Sequence, residues 1–219
     1  MTSNPSPRLA LFGATGRTGR QILLQAKEKS LSVSVLARVP DMLESLRESV
    51  SVTAGTVMDL QAVRRVISGS TAVLSVIGRD KGSPADLMTA AAANMITAMR
   101  GEHVDRLVVL SNTAIEDPTD RLPMIHRIFR GILPRVNKPL TLDSVAAAKI
   151  IEDSGLDWTI VRAPLLTDGP RTSHYRVGPL EAGMPVRISR ADVAEFMLSC
   201  VLERKFVRDR PAIGSSGLL

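Results

Sequence analysis

The 219-residue sequence carries one cysteine, one tyrosine, one tryptophan and three histidines. A lone cysteine excludes an internal disulfide and any metal site built from several thiolates. Cys200 lies in "ADVAEFMLSCVLE", where Val193, Phe196, Met197, Cys200 and Val201 share one helical face, which reads as core packing. His103, His126 and His174 are scattered without ligand spacing, so no metal site is expected. Aromatics make up only 3%, and no helix-turn-helix or zinc-finger pattern appears. The net charge of +6 is spread along the chain and so suits an anionic small ligand better than nucleic acid. No apolar run approaches the ~20 residues of a membrane helix. The start, "MTSNPSPR", lacks the apolar core of a secretory signal. Residues 1–7 therefore read as a flexible tail, the location as cytoplasmic, and the compact length favours a monomer.

What is present is an alternation. "RLALFG", "SVSVLAR", "VSVTAG", "TAVLSVIG", "RLVVLS" and "WTIVRAP" are short, rich in Val, Ile and Leu, and each runs into turn chemistry. Between them fall helical stretches: Thr18–Lys29, Asp41–Glu48 after Pro40, "LQAVRRVIS" capped by Asp59, "ADLMTAAAANMITAMR", and "LDSVAAAKIIEDSG" stopping at Gly155. Strands suited to burial on both faces, alternating with helices, predict a Rossmann-like α/β fold over residues 8–219: a single domain with a doubly wound parallel sheet flanked by helices. Ligands bind such sheets beyond the carboxyl ends of the strands, near the point where strand order reverses.

The first loop fits that expectation. Gly13, Gly16 and Gly19 follow the first strand and open the first helix, whose free N–H groups and dipole favour an anion such as a pyrophosphate. Gly13 allows the turn, Gly16 removes a Cβ that would hold phosphates away, and Gly19 allows helix and sheet to approach. Thr15 and Thr18 add hydroxyls. The spacing G-x-x-G-x-x-G departs from G-x-G-x-x-G, and the strand–loop–helix context is what supports dinucleotide binding. The second strand ends in Arg38, where an NAD-preferring site usually carries an acid for the ribose hydroxyls. A guanidinium there suits a 2′-phosphate, and Arg17 is read as approaching the same group, so NADP(H) is the expected coenzyme.

Glycine loops of this spacing are typical of short-chain dehydrogenases/reductases, which use a Tyr-x-x-x-Lys pair to move a proton. Tyr175 is followed four positions later by Pro179, so it cannot head such a pair; Lys149 stands in the expected helix, but Val145 takes the tyrosine's place. "GATGRTG", "VLAR", "AVLSVIG", "RLVVLSN", "AKIIEDSGLDWTIVRAP" and "RISRADVAEFML" together resemble the atypical short-chain reductases that include the NADPH-dependent flavin reductase/biliverdin-IXβ reductase. The resemblance covers nearly the whole chain. It implies that Gly13, Thr15, Gly16, Arg17, Thr18, Gly19 and Arg38 hold the nucleotide, and that Thr56, Val57, Ile77, Gly78, Pro164, Leu165 and Leu166 line adenine and nicotinamide. Lys149 is counted on the coenzyme side as well. The chain departs from that family's pattern at Asn112 (serine there), Leu165 (histidine there) and Thr56 (an acid there).

Reduction of a flavin or linear tetrapyrrole depends mostly on placing the hydride donor about 3 to 3.5 Å from the acceptor atom, so a protein base is optional. Ser111 and Asn112 are positioned to orient nicotinamide or a substrate carbonyl, in competition with a purely structural strand-end role. The basic stretch 121–140, with an apolar stripe from Met124 to Leu133, reads as a lid or packed insertion within 119–140 ahead of a contact with anionic lipid. His126, Asp168, His174 and Tyr175 are weaker substrate-side candidates. Two functions stay open. One is an NADPH-dependent reductase of a planar, anionic, conjugated acceptor (flavin such as FMN or FAD, bilin or quinone). The other is a non-catalytic NADP(H)-binding redox sensor acting through a protein partner. A sugar-nucleotide epimerase fits less well, because such enzymes rely on the missing tyrosine.

Overall fold

The computed structural model describes residues 7–47, 49–80, 82–121 and 138–215, without the side chains of 138–140. Elements follow in the order β1 (Arg8–Phe12), α1 (Arg17–Glu28), β2 (Ser32–Ala37), a 3-10 helix (Pro40–Leu46), β3 (Val50–Ala54), α2 (Leu60–Ile67), β4 (Ala72–Ser75) and α3 (Leu87–Gly101). Then come β5 (Arg106–Asn112), α4 (Lys138–Glu152), β6 (Asp157–Ala163), β7 (Leu165–Thr167), β8 (Arg176–Gly178), β9 (Arg187–Ser189), α5 (Arg190–Leu202) and β10 (Ala212–Gly214).

The main sheet has the order β3-β2-β1-β4-β5-β6-β10-β8, so strand order reverses between β1 and β4. Every pairing is parallel except β10 with β8 at the edge. Short β7 and β9 pair in parallel beside the sheet. The two-residue period of each strand sends alternate side chains to opposite layers. Leu9 and Leu11 pack with Ile22 and Leu23 of α1 and Val193 and Met197 of α5, whereas Ala10 and Phe12 pack with Val63 of α2, Met95 of α3 and Ile151 of α4.

Local signals behave as expected. Asp59 accepts from the N–H groups of Gln61 (2.9 Å) and Ala62 (3.3 Å), and Gly155 follows α4 at φ +76°. Cys200 is fully buried, and burial pushes its thiol up to about 12. The helical stretch expected after Pro40 is a 3-10 helix over Pro40–Leu46, and α1 begins one residue early, at Arg17. The lid expectation for 119–140, with His126, falls almost entirely outside the described residues. Among the described residues no helix is long and apolar enough to cross a membrane.

Among the described residues two arginines are buried. Arg106 donates to the carbonyls of Cys200, Asp157 and Lys205 at 2.7–2.8 Å. Arg162 on β6 is fully buried and grips Asp120 with both Nη atoms, at 2.7 and 2.8 Å, while its Nε donates to the carbonyl of Arg210 at 2.7 Å. Burial of Asp120 opposes its ionisation, but the Arg162 fork and the Leu180 N–H outweigh it and hold the carboxyl below its ordinary range. This bidentate pair ties the chain beyond β5 to the sheet at the edge where the site lies.

Candidate functional site

A cleft of about 620 Å³ opens at the carboxyl ends of β1, β2, β4, β5 and β6, over the reversal of strand order. That volume is in the range of small-molecule and cofactor pockets. Its floor is the glycine loop. Gly13 sits at φ +87°, and a Cβ there would meet the Val76 carbonyl oxygen at 2.7 Å. A Cβ on Gly19 would lie 2.2 Å from the Gly13 carbonyl oxygen and 2.7 Å from the Ala14 Cα, so only glycine allows α1 to approach this closely. Gly16 is the N-cap of α1 and has no side-chain cap, leaving the first-turn N–H groups for a ligand.

The structure brings most of the predicted residues to one place. Gly13, Thr15, Gly16, Arg17 and Thr18 line the cleft with Arg38, Thr56, Val57, Ile77, Gly78, Ser111, Asn112, Pro164 and Leu166. Gly19 supports it from behind. Leu165 is 67% exposed and does not line it, and Lys149 pairs with Asp153 at 2.8 Å on the exposed side of α4, which raises its pKa. Of the weaker candidates, Asp168 reaches the site. Tyr175 instead packs edge-on against Phe196 at 5.9 Å, where burial and nearby Glu195 and Asp192 push its phenol up, and His174 meets the Thr172 carbonyl.

Asn112 is held at both ends of its amide: Oδ1 accepts from the Ala114 N–H at 2.9 Å and Nδ2 donates to Ser144 Oγ at 3.2 Å. Its side chain thus stabilises the turn after β5, with neighbouring Ser111 half-buried on the cleft wall.

Charge is unevenly distributed. Arg17, Arg38, Arg79 and Arg190 line the cleft, and Asp80 is the only carboxylate among its described lining residues. Arg38 donates to Asp80 at 2.7 Å, reaching from the end of β2 past β1 to the loop after β4. Arg17 does not turn towards Arg38's partner. It donates to Asp168 Oδ2 at 2.7 Å, while Arg190 donates to Asp168 Oδ1 at 2.6 Å. Arg79, Asp80 and Arg190 were not singled out from the sequence. Arg38 and Asp80 are two-thirds exposed, so their pair is weak and exchangeable. Among the described residues no group of three His, Cys, Asp or Glu side chains could hold a metal ion.

The sequence model of a family described as NAD(P)H-binding matches residues 13–204. A reductase, pytE, of Aspergillus terreus is 25% identical over 92% of this chain and 94% of its own. A (4-alkanoyl-5-oxo-2,5-dihydrofuran-3-yl)methyl phosphate reductase of Streptomyces griseus is 33% identical over 70% of this chain but 46% of its own length. Among solved structures, the anaerobilin reductase ChuY of Escherichia coli O157:H7 superposes with a TM-score of 0.80 at 18% identity, covering 97% of this chain and 98% of that one. A short-chain dehydrogenase/reductase of Veillonella parvula in complex with NADP gives 0.73 at 16% identity, covering 96% and 95%. At these identities the structural likenesses establish the fold.

Proposed function

Because the chain belongs to the NAD(P)H-binding family, we propose that it is an NADPH-dependent reductase that transfers hydride to a planar conjugated acceptor: a flavin, a bilin or a quinone. The observation that carries the reading is the cleft itself, in which a capless helix N-terminus behind a glycine turn shares one cavity with Arg38. The residues fit the coenzyme. Gly13, Gly16 and the first-turn N–H groups of α1 would take the diphosphate, with Thr15 and Thr18 beside them. Arg38 would take the 2′-phosphate in exchange for Asp80. Thr56 and Val57 would flank the adenine, and Ile77, Gly78, Pro164 and Leu166 the nicotinamide.

When bound, the reduced nicotinamide supplies the hydride. Ser111 orients the reacting groups from the wall, and Asn112 fixes the backbone turn that presents it. The proton that completes reduction comes from water or from the acceptor, since Val145 and Leu165, both exposed, stand where the short-chain reductase pattern has a tyrosine and the flavin/biliverdin reductase pattern a histidine. Reductase names among the relatives support the reaction class.

The test is NADPH oxidation followed spectrophotometrically against FMN, FAD, riboflavin, biliverdin and a soluble quinone. Turnover above buffer with one acceptor, faster with NADPH than with NADH, is expected. Coenzyme binding with no turnover against the panel would transfer the case to the redox-sensor reading.

A further inference from the structure

Arg190 is the first residue of α5, directly after the N-cap Ser189. A cation is disfavoured there, because the helix dipole places positive charge at that end. Its side chain is only 11% exposed. The sequence nonetheless puts it on the wall of the cleft. Among the described residues its one hydrogen bond goes to Asp168 Oδ1, which leaves most of a five-donor fork without a protein acceptor. Asp168 itself is shared, giving its other oxygen to Arg17. Two guanidiniums around one carboxylate leave the group with an excess positive charge, beside a cavity. A counter-charge that is only half its own, together with donors unused by the described residues beside a cavity, marks a place where a ligand completes the arrangement.

The position says which ligand. Arg38 lies at the end of β2, whereas Arg190 and Asp168 belong to the elements beyond β6, with β1, β4 and β5 between them. Arg190 instead shares Asp168 with Arg17 at the first turn of α1, so it stands beside the glycine loop and not beside Arg38, the group that would take the 2′-phosphate. We propose that Arg190 is a specificity-determining residue that binds an anionic substituent of the acceptor, a phosphate or a carboxylate, with Asp168 as the resident carboxylate it partly exchanges. The proposal rests on the reductase reading, and it names the residue that selects the anionic group of the acceptor.

The test uses pairs of probes that differ only in the anion. NADP⁺-saturated protein is titrated with FMN and riboflavin, and separately with biliverdin and its dimethyl ester, followed by flavin fluorescence or bilin absorbance. NADPH affinity is measured alongside. A charge-assisted contact makes the wild type prefer the anionic member of at least one pair by about tenfold or more. Arg190→Gln brings that preference to within about twofold and leaves NADPH affinity unchanged. Asp168→Asn, which removes the competing carboxylate and keeps the guanidinium, widens the preference and gives an independent reading if the glutamine variant does not fold. The pair that shows the preference separates a phosphate from a carboxylate substituent.

Equal weakening of both members of a pair, weakened NADPH binding in Arg190→Gln, or a wild type with no anion preference in either pair overturns the proposal. Absence of coenzyme binding by the wild type instead overturns the reductase reading beneath it.

Discussion

Replacing Arg38 by alanine separates the two coenzymes. The Arg38–Asp80 pair, at 2.7 Å and with both side chains about two-thirds exposed, is worth about 0.2–1 kcal/mol to the free protein. A charge-assisted bond from the same guanidinium to a 2′-phosphate is worth about 1.5–3 kcal/mol. Exchanging one for the other leaves a net gain of about 0.5–2.8 kcal/mol. Arg38→Ala should therefore weaken NADPH by about 2- to 110-fold and leave NADH unchanged. Because both partners are exposed, the melting temperature should hardly move. The converse substitution, Asp80→Asn, releases Arg38 and should tighten NADPH by up to about fivefold with no gain for NADH. Raising salt should erode the NADPH advantage, since an exposed phosphate–arginine contact is screened. Calorimetric titrations of both coenzymes against the three proteins provide the assay. Equal loss of NADPH and NADH on Arg38→Ala would refute the reasoning, and so would unchanged NADPH affinity.

Further expectations concern the loop and the buried pair. Gly19→Ala forces a Cβ to 2.2 Å from a backbone oxygen, so the loop must shift, and NADPH and NADH should weaken together by about 5- to 150-fold with lowered thermal stability. Unchanged affinity for both would show that the loop does not hold the diphosphate. Asp120→Asn leaves the buried Arg162 without its counter-charge and should cost about 3–5 kcal/mol, or about 6–20 °C in melting temperature. Asp120 and Asp117 both have carboxyls held below their ordinary range, so their contribution is present above the unfolded carboxylate pKa near ~4 and is lost as pH falls through the lower folded values. Melting curves should drop below that pH in the wild type and be less acid-sensitive in Asp120→Asn; parallel curves would count against the sign.

The parallel core of the fold was legible because six short stretches rich in Val, Ile or Leu each run into turn chemistry, and because caps such as Asp59 and stops such as Gly155 act through local backbone chemistry. The strands β7 to β10 were not legible. Three residues such as Ala212–Gly214 have no period of their own, and Ala212 and Ile213 are buried only because β6 and β8 flank them. The helix after Pro40 is a short 3-10 helix that buries one side chain, Leu43, too little to sustain further turns.

In the site, glycines announce themselves by spacing, whereas partner carboxylates do not. Asp80 is 42 residues from Arg38, and Asp168 is 151 from Arg17, so only the fold reveals either pair. Arginines read as surface charge in sequence, which concealed buried Arg106 and Arg162 as well as cleft-lining Arg190. Lys149 was drawn towards the coenzyme by its place in the short-chain reductase pattern, while the α4 backbone turns it to Asp153.

Calorimetric titration of the wild-type protein with NADPH and with NADH tests the central claim most directly. Saturable binding of one NADPH per chain, tighter than NADH, is the expected result. Folded protein that shows no saturation with either coenzyme would contradict it.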